Sequence, residues 1–258
     1  MLTNKQHVCS LSRYSRTMSN KCNRSDVVEI QWPCRMVVPS KECESRVLQT
    51  LHRKGEWGRG RDLPQHRLDQ IQVACEQNQM TMYQALSLRR SMLRSFPGGM
   101  ARVNQSSQMG SNTGQQHVAS LFEEAVHSFL GDALSSNSNE KFFLTESELL
   151  TEMRAGTRPR GPTPDVLFLR PISINGRLVK WIDAKLYYAS VTYARNTKIP
   201  NGKLLKQAQR YNTHFGGQGA FVFGQGYCAD LEEVVSEAML LDATPLDITA
   251  VTDFQNAS

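Results

Sequence analysis

Thr163-Pro164-Asp165-Val166-Leu167-Phe168-Leu169-Arg170-Pro171-Ile172-Ser173-Ile174-Asn175-Gly176-Arg177-Leu178-Val179-Lys180-Trp181-Ile182-Asp183-Ala184-Lys185 is the stretch that decides the fold. Val166–Leu169 and Leu178–Ile182 are apolar runs of strand length. Asn175-Gly176 between them is the pair that best tolerates the positive φ angles of a tight hairpin turn. Two adjacent strands of this kind need helices to cover them. An amphipathic helix is expected before them at Gln115–Leu134, from Val118, Leu121, Phe122, Ala125, Val126, Phe129 and Leu130 at three- and four-residue spacing. A second is expected after them at Leu204–Phe215, ended by Gly216-Gly217, with a further buried strand at Ala220–Phe223. The fold class read from this pattern is α/β, a mixed sheet flanked by helices.

Asp183-Ala184-Lys185 sets a carboxylate and an amine two residues apart, so on a strand both side chains share one face. Asp165, at the start of the neighbouring strand, and Asp183 together suit one Mg²⁺, or Mn²⁺, which takes one or two carboxylates plus waters and substrate phosphate oxygens. Lys185 would then orient water or stabilise developing negative charge. A plain ion pair of Lys185 with Asp183 or Asp165, capping the sheet, is the alternative. The metal reading carries a geometric condition. In an unbroken hairpin Ile174 pairs with Arg177 and Asp165 with Leu186, which sends Asp165 to the wrong face. A bulge or a longer turn is required, and Pro171, which cannot donate to the ladder, is a place for it.

Outward from this centre, Phe142–Leu144 reads as a short strand, and Thr145 with Glu148 as a capping box for the next helix. Upstream, Cys43–Leu51, a segment opened by Pro64, and Met80–Leu93 read as helices, with Pro97-Gly98-Gly99 ending the last. The tight polar turn at Gln77–Gln79, followed by a helix with Arg89, Arg90 and Arg94, is compatible with a helix-turn-helix on nucleic acid. It is equally compatible with a helical hairpin bearing a solvated basic face. The domain reading is therefore a basic tail at 1–42 with little fixed structure, a helical region at 43–99, a polar linker at 100–113, and the α/β domain at 114–258.

Charge follows the same division. Residues 1–114 hold 17 Lys/Arg against 8 Asp/Glu, whereas residues 115–258 hold 13 against 16. A basic front half is an electrostatic footprint for phosphate-rich ligands, or simply a soluble surface. Apolar runs stop far short of a membrane span, so no bilayer crossing is expected. Cys9, Cys22, Cys34, Cys43, Cys75 and Cys228 form no Cys-x-x-Cys pair, which points to reduced thiols rather than a disulfide framework or zinc site.

Phe143-Leu144-Thr145-Glu146, Thr163-Pro164-Asp165, Trp181-Ile182-Asp183-Ala184-Lys185 and Gln207-x-x-x-Tyr211-x-x-x-Phe215-Gly216, in that order, resemble the codanin-interacting nuclease family. Its Thr-Pro-Asp motif proteins are a branch of the PD-(D/E)XK nuclease superfamily. The resemblance implies a restriction-endonuclease-like sheet after a small helix-turn-helix-like region, and Mg²⁺- or Mn²⁺-dependent hydrolysis of phosphodiester bonds, in DNA. It also implies a codanin-like protein partner and residence in nucleus and cytoplasm, the alternative being organelle import through the basic N-terminus. Asp165 and Asp183 would be metal ligands, Lys185 the catalytic lysine, and Gln207 a residue facing the site, with Glu146 nearby. Such families carry a Glu on the first core helix one turn after a Gly. After Gly114 that position falls on Val118, which leaves Glu123 or Glu124, one to two turns later, as the substitute ligand, or Gln116 or His117 as a neutral stand-in. A nuclease-fold adaptor that binds its partner with weakened catalysis is the second functional expectation.

Overall fold

In the computed structural model, residues 27–51, 63–95, 112–135, 140–191 and 200–257 are described. Six strands form one mixed sheet: β1 (Val28–Ile30), β2 (Phe143–Thr145), β3 (Val166–Ile174), β4 (Arg177–Lys185), β5 (Gly219–Phe223) and β6 (Ala238–Asp242). Along the sheet the order is β1-β3-β4-β5-β6. β3 and β4 are antiparallel, and β4, β5 and β6 run parallel. The Asn175-Gly176 turn has φ of 50° and 79°, and it pairs Ile174 with Arg177.

The hairpin is broken where the metal reading required it. Ile172 pairs with Val179 but Leu167 pairs with Trp181, so five residues of β3 span the same stretch as two of β4. Leu169, Arg170 and Pro171 are the exposed residues of that bulge. Its backbone groups find partners: the Lys180 ammonium donates to the Phe168 carbonyl at 2.8 Å, and the Leu169 amide to the Phe142 carbonyl at 2.8 Å. On the edge away from β4, β2 pairs antiparallel with β3 before the bulge and β1 pairs parallel with it after the bulge.

Helices cover both faces. On α4 (Asn112–Leu134), every fourth residue from Val118 through Phe122, Val126 and Leu130 to Leu134 is buried. That stripe packs with α8 (Thr249–Ala257) on Val166, Phe168, Ile182, Ala220 and Val222. The opposite face holds Trp181, Phe221, Phe223 and Leu240 under α6 (Pro200–Phe215) and α7 (Leu231–Val234). Next to it, α5 (Glu146–Arg154) packs Leu149 and Met153 on Leu144 and Leu167. Thr145 and Glu148 form the expected capping box at its start.

The helical region consists of α1 (Lys41–Leu51), α2 (Gln65–Gln77) and α3 (Met82–Ser95). Its core of Val47, Leu51, Ile71, Cys75, Met80, Ala85 and Leu88 includes Tyr188 and Cys228 from the α/β part. Glu44 is fully buried there and accepts hydrogen bonds from the Tyr188 hydroxyl, the Ser190 hydroxyl and the Val191 amide.

One expectation is corrected within the described part of the N-terminus. Residues 27–42 are not a loose tail: β1 pairs with β3, and Trp32 is 1% exposed. The Trp32 indole donates to the Asp242 carbonyl at 2.8 Å and meets the Phe129 ring edge-on at 4.7 Å. Asn175 fixes the same segment, its side chain accepting from the Trp32 amide and donating to the Trp32 carbonyl, each at 2.8 Å. The earliest part of the tail (1–26), the Gly-rich run Lys54–Arg61, the Pro97-Gly98-Gly99 stop and most of the 100–113 linker lie outside the described residues.

Replacing Trp32 with Ala is expected to cost about 3–5 kcal/mol of folding stability, as for other buried aromatic side chains. Urea unfolding measures it, and a cost near zero would return this segment to the status of a loose tail.

Candidate active site at the β3–β4 hairpin

The register shift across the bulge amounts to an odd number of residues, so it exchanges which faces of the two strands match. Beyond it, Val166 pairs with Ile182, and the next position sets Asp165 opposite Asp183. The two carboxyls lie within hydrogen-bonding reach of each other and are 8% and 3% exposed. An Asp165 oxygen accepts from the Ala184 amide at 2.6 Å. Lys185, two residues beyond Asp183 on the same face, donates to one Asp183 oxygen at 2.7 Å, and its ammonium lies 5.9 Å from the centre of the Phe221 ring. The expected condition on the hairpin is met, and three of the residues singled out by spacing come together.

A polar network holds the pair from the α6 side. The Gln207 amide nitrogen donates to the second Asp183 oxygen and also, at 2.8 Å, to the Tyr211 hydroxyl. The Tyr211 hydroxyl donates to the Thr163 carbonyl at 3.1 Å, and the Thr163 hydroxyl donates to Glu146 at 2.6 Å. Each residue of Thr163-Pro164-Asp165 thus has a place: Thr163 ties the loop to α5 and α6, Pro164 leads in, and Asp165 enters the site. From the α4 side, His127 contacts the Asp165 carbonyl at 3.1 Å and stacks on Phe143.

The charges do not balance. Burial raises the Asp165 carboxyl to about 8, with the Asp183 charge adding to the effect and Glu123 contributing less. Glu123 on α4 is also raised, by burial first and then by the charges of Glu146 and Asp183, with Lys185 opposing. Lys185 is the cation that opposes these acids. Val118 is buried in the core and contributes no ligand, so Glu123, one to two turns further along, is the carboxylate α4 offers the site.

Among the described residues no three His, Cys, Asp or Glu side chains form an enclosed metal cage by themselves. The donor set nevertheless fits Mg²⁺ or Mn²⁺, which keeps several waters and takes only one or two carboxylates from a protein. Two buried carboxyls set side by side are also the situation a dication relieves.

Other expectations fall elsewhere. Arg89 is half-buried on α3, which packs with α1 and α2, while the Arg90 and Arg94 side chains lie outside the description. Just beyond Lys185, and not among those expectations, Tyr188 packs in the core and Tyr187 lies edge-on to Phe223. Cys34, Cys43, Cys75 and Cys228 are free thiols. Tyr211 and Thr163 are site residues given no role of their own by spacing; the signal was Gln207 followed four residues later by Tyr211, one helical turn on the same face.

A family model described as "Protein of unknown function TPD sequence-motif" matches residues 103–244, more than half of the chain. The chain belongs to the TPD sequence-motif family. The matched span of this TPD protein contains the whole site, from Glu123 through Asp165, Asp183 and Lys185 to Tyr211. Comparison with curated proteins returns no match, and comparison with solved structures returns none either.

Because Asp165 is raised, its contribution to the stability of the metal-free TPD protein is complete below the ordinary carboxylate value of 3.8 and is lost as pH rises through about 8. Asp165→Asn removes that loss while leaving an oxygen for the Ala184 amide. Thermal melts in chelator should find the variant more stable than the native chain at about pH 9, with the difference closing toward about pH 4. Parallel melting curves across that range would show that Asp165 is not a raised acid.

Proposed function

We propose that this chain is a metal-dependent nuclease of the PD-(D/E)XK type with a restriction-endonuclease-like sheet, hydrolysing phosphodiester bonds in DNA. The observation that supports this reading most directly is the odd register shift, which sets Asp165 against Asp183 with Lys185 on the same face. An ion pair that merely capped a sheet would need neither the second buried carboxyl nor the bulge that delivers it.

Asp165 and Asp183 would hold the cation, with Glu123 approaching from α4. When bound, Mg²⁺ or Mn²⁺ supplies positive charge beside the phosphate and lowers the pKa of water. The side chains do the rest. The Lys185 ammonium places the attacking water and offsets negative charge as the water oxygen bonds to phosphorus and the bond to the sugar oxygen breaks. That sugar oxygen leaves with a proton. Gln207, held by Tyr211, fixes the rotamer of Asp183 so that its other oxygen stays turned toward Lys185 and the site. The four-motif resemblance supports the same reading, and with it a codanin-like protein partner and residence in nucleus and cytoplasm. No described helix is long and apolar enough to cross a membrane.

The purified protein should cut single-stranded, duplex or flapped DNA in Mg²⁺ or Mn²⁺ and stop in chelator. Lys185→Ala should lose at least about 100-fold in rate, the scale of a positioned proton-transfer or charge-stabilising group. Folded protein that cuts no substrate with either metal would leave the nuclease fold as a protein-binding adaptor.

Glu123→Gln separates the α4 carboxylate from its neighbours. It should raise the metal concentration needed for half-maximal cleavage by about tenfold, in the range for loss of a supporting group at a metal site. An unchanged metal titration would remove Glu123 from the ligand set.

A further inference from the structure

Beside the carboxyl pair a cleft of about 560 Å³ opens between α6 and the loop at 161–163. Gln207 and Tyr211, whose side chains hold Asp183 in place, also line this cleft, so it leads directly from the site. Its outer wall carries Lys203, Lys206 and Arg210. These three are exposed, and none forms an ion pair among the described residues. No carboxylate lines the cleft. The opposite wall is held close: a Cβ at Gly161 would lie 2.3 Å from the His214 imidazole of α6.

We infer, on the nuclease reading above, that this cleft is the track for one strand of nucleic acid, whose successive phosphates are gripped by Lys203, Lys206 and Arg210. Steps of three and four residues set the three cations on one face of α6. Seven residues of helix separate the first from the last, about 10 Å. That length lets the row follow a short run of phosphates along one strand. The row is single, on one wall only, with a neutral loop of Gly161, Pro162 and Thr163 facing it. With the cations that line the cleft on one wall, among the described residues, the cleft suits an unpaired strand or a frayed end better than a duplex. The arrangement also answers an electrostatic difficulty. The site itself is rich in acids, and the cations immediately outside it draw a polyanion toward it.

Binding of a labelled single-stranded oligonucleotide to the full chain, followed by fluorescence anisotropy with Ca²⁺ in place of Mg²⁺, tests the assignment. The triple variant Lys203→Gln, Lys206→Gln, Arg210→Gln should bind at least about tenfold more weakly. Its dependence of log Kd on log salt should flatten by about 2, near 0.7 for each of three lost phosphate contacts. Unchanged melting temperature establishes that the variant is folded, since the three side chains are exposed. Equal affinity and equal slope for variant and native chain would overturn the assignment, whatever the cleavage result. So would no binding by the native chain, tighter binding of a blunt duplex than of the single strand, or equally effective displacement by polyglutamate, which would mark the cleft as a site for an acidic protein. Charge-dependent strand binding by a chain that cuts nothing would keep the strand track and discard the nuclease reading.

Discussion

The odd register shift in the β3–β4 hairpin is the constraint on which the other features of the site depend. Asn175 and Gly176 set the turn, and Asn175 is further tied through its side chain to both backbone groups of Trp32. With the turn so fixed, an even ladder would carry Asp165 to the sheet face opposite Asp183. The bulge at Leu169–Pro171 reverses that relation within a few residues, and Lys180 and Phe142 satisfy backbone groups that the interruption leaves open. The same interruption divides the far edge of β3 between β2 and β1. Pro171 has no amide to lose at this point.

Placing the acids costs stability. Asp165 and Asp183 are buried together, with Glu123 near enough to add to the repulsion and Lys185 opposing it. The apolar layers on either side of the sheet offset this cost: the stripe of α4 on one face, and the Trp181–Phe221–Phe223 layer under α6 on the other. Local destabilisation at a working site with a strongly packed surround is a common division of labour in enzymes. α6 joins the packed layer to the site, since it buries Leu204, Ala208 and Tyr211 while turning Gln207 to Asp183.

Much of the fold was legible because its signals are local. The hairpin turn, the capping box at Thr145, the four-residue stripe of α4 and the apolar runs of β3 to β5 each lie within a few residues of one another. The four-residue stripe of α4 also explains why Val118 is core. What stayed hidden depends on distant partners. β1 has three residues, and its segment is fixed by Trp32, whose partners Asn175 and Asp242 lie 143 and 210 positions away. β6 and α8 are short, and the apolar runs that define them gain meaning only from the layers they complete. Glu44 carries no local signal of its burial, because Tyr188 and Ser190, which bury it, are about 145 positions removed. The cations of the α6 cleft were visible as residues, but their common direction needed the loop at 161–163 to face them.

The burial of Glu44 against Tyr188, Ser190 and Val191 also limits how this protein can change over evolutionary time. Those three residues follow Lys185 by only a few positions, and Tyr188 also donates its amide to Ser87 of α3 at 3.1 Å. The strand that presents the lysine therefore ends inside the helical region. α1 to α3 are not an attachment to be exchanged for another recognition module. A lineage that lost them would leave a buried tyrosine bare and the exit of the strand that carries Lys185 without an anchor, so the two parts are expected to be inherited, and to drift, together.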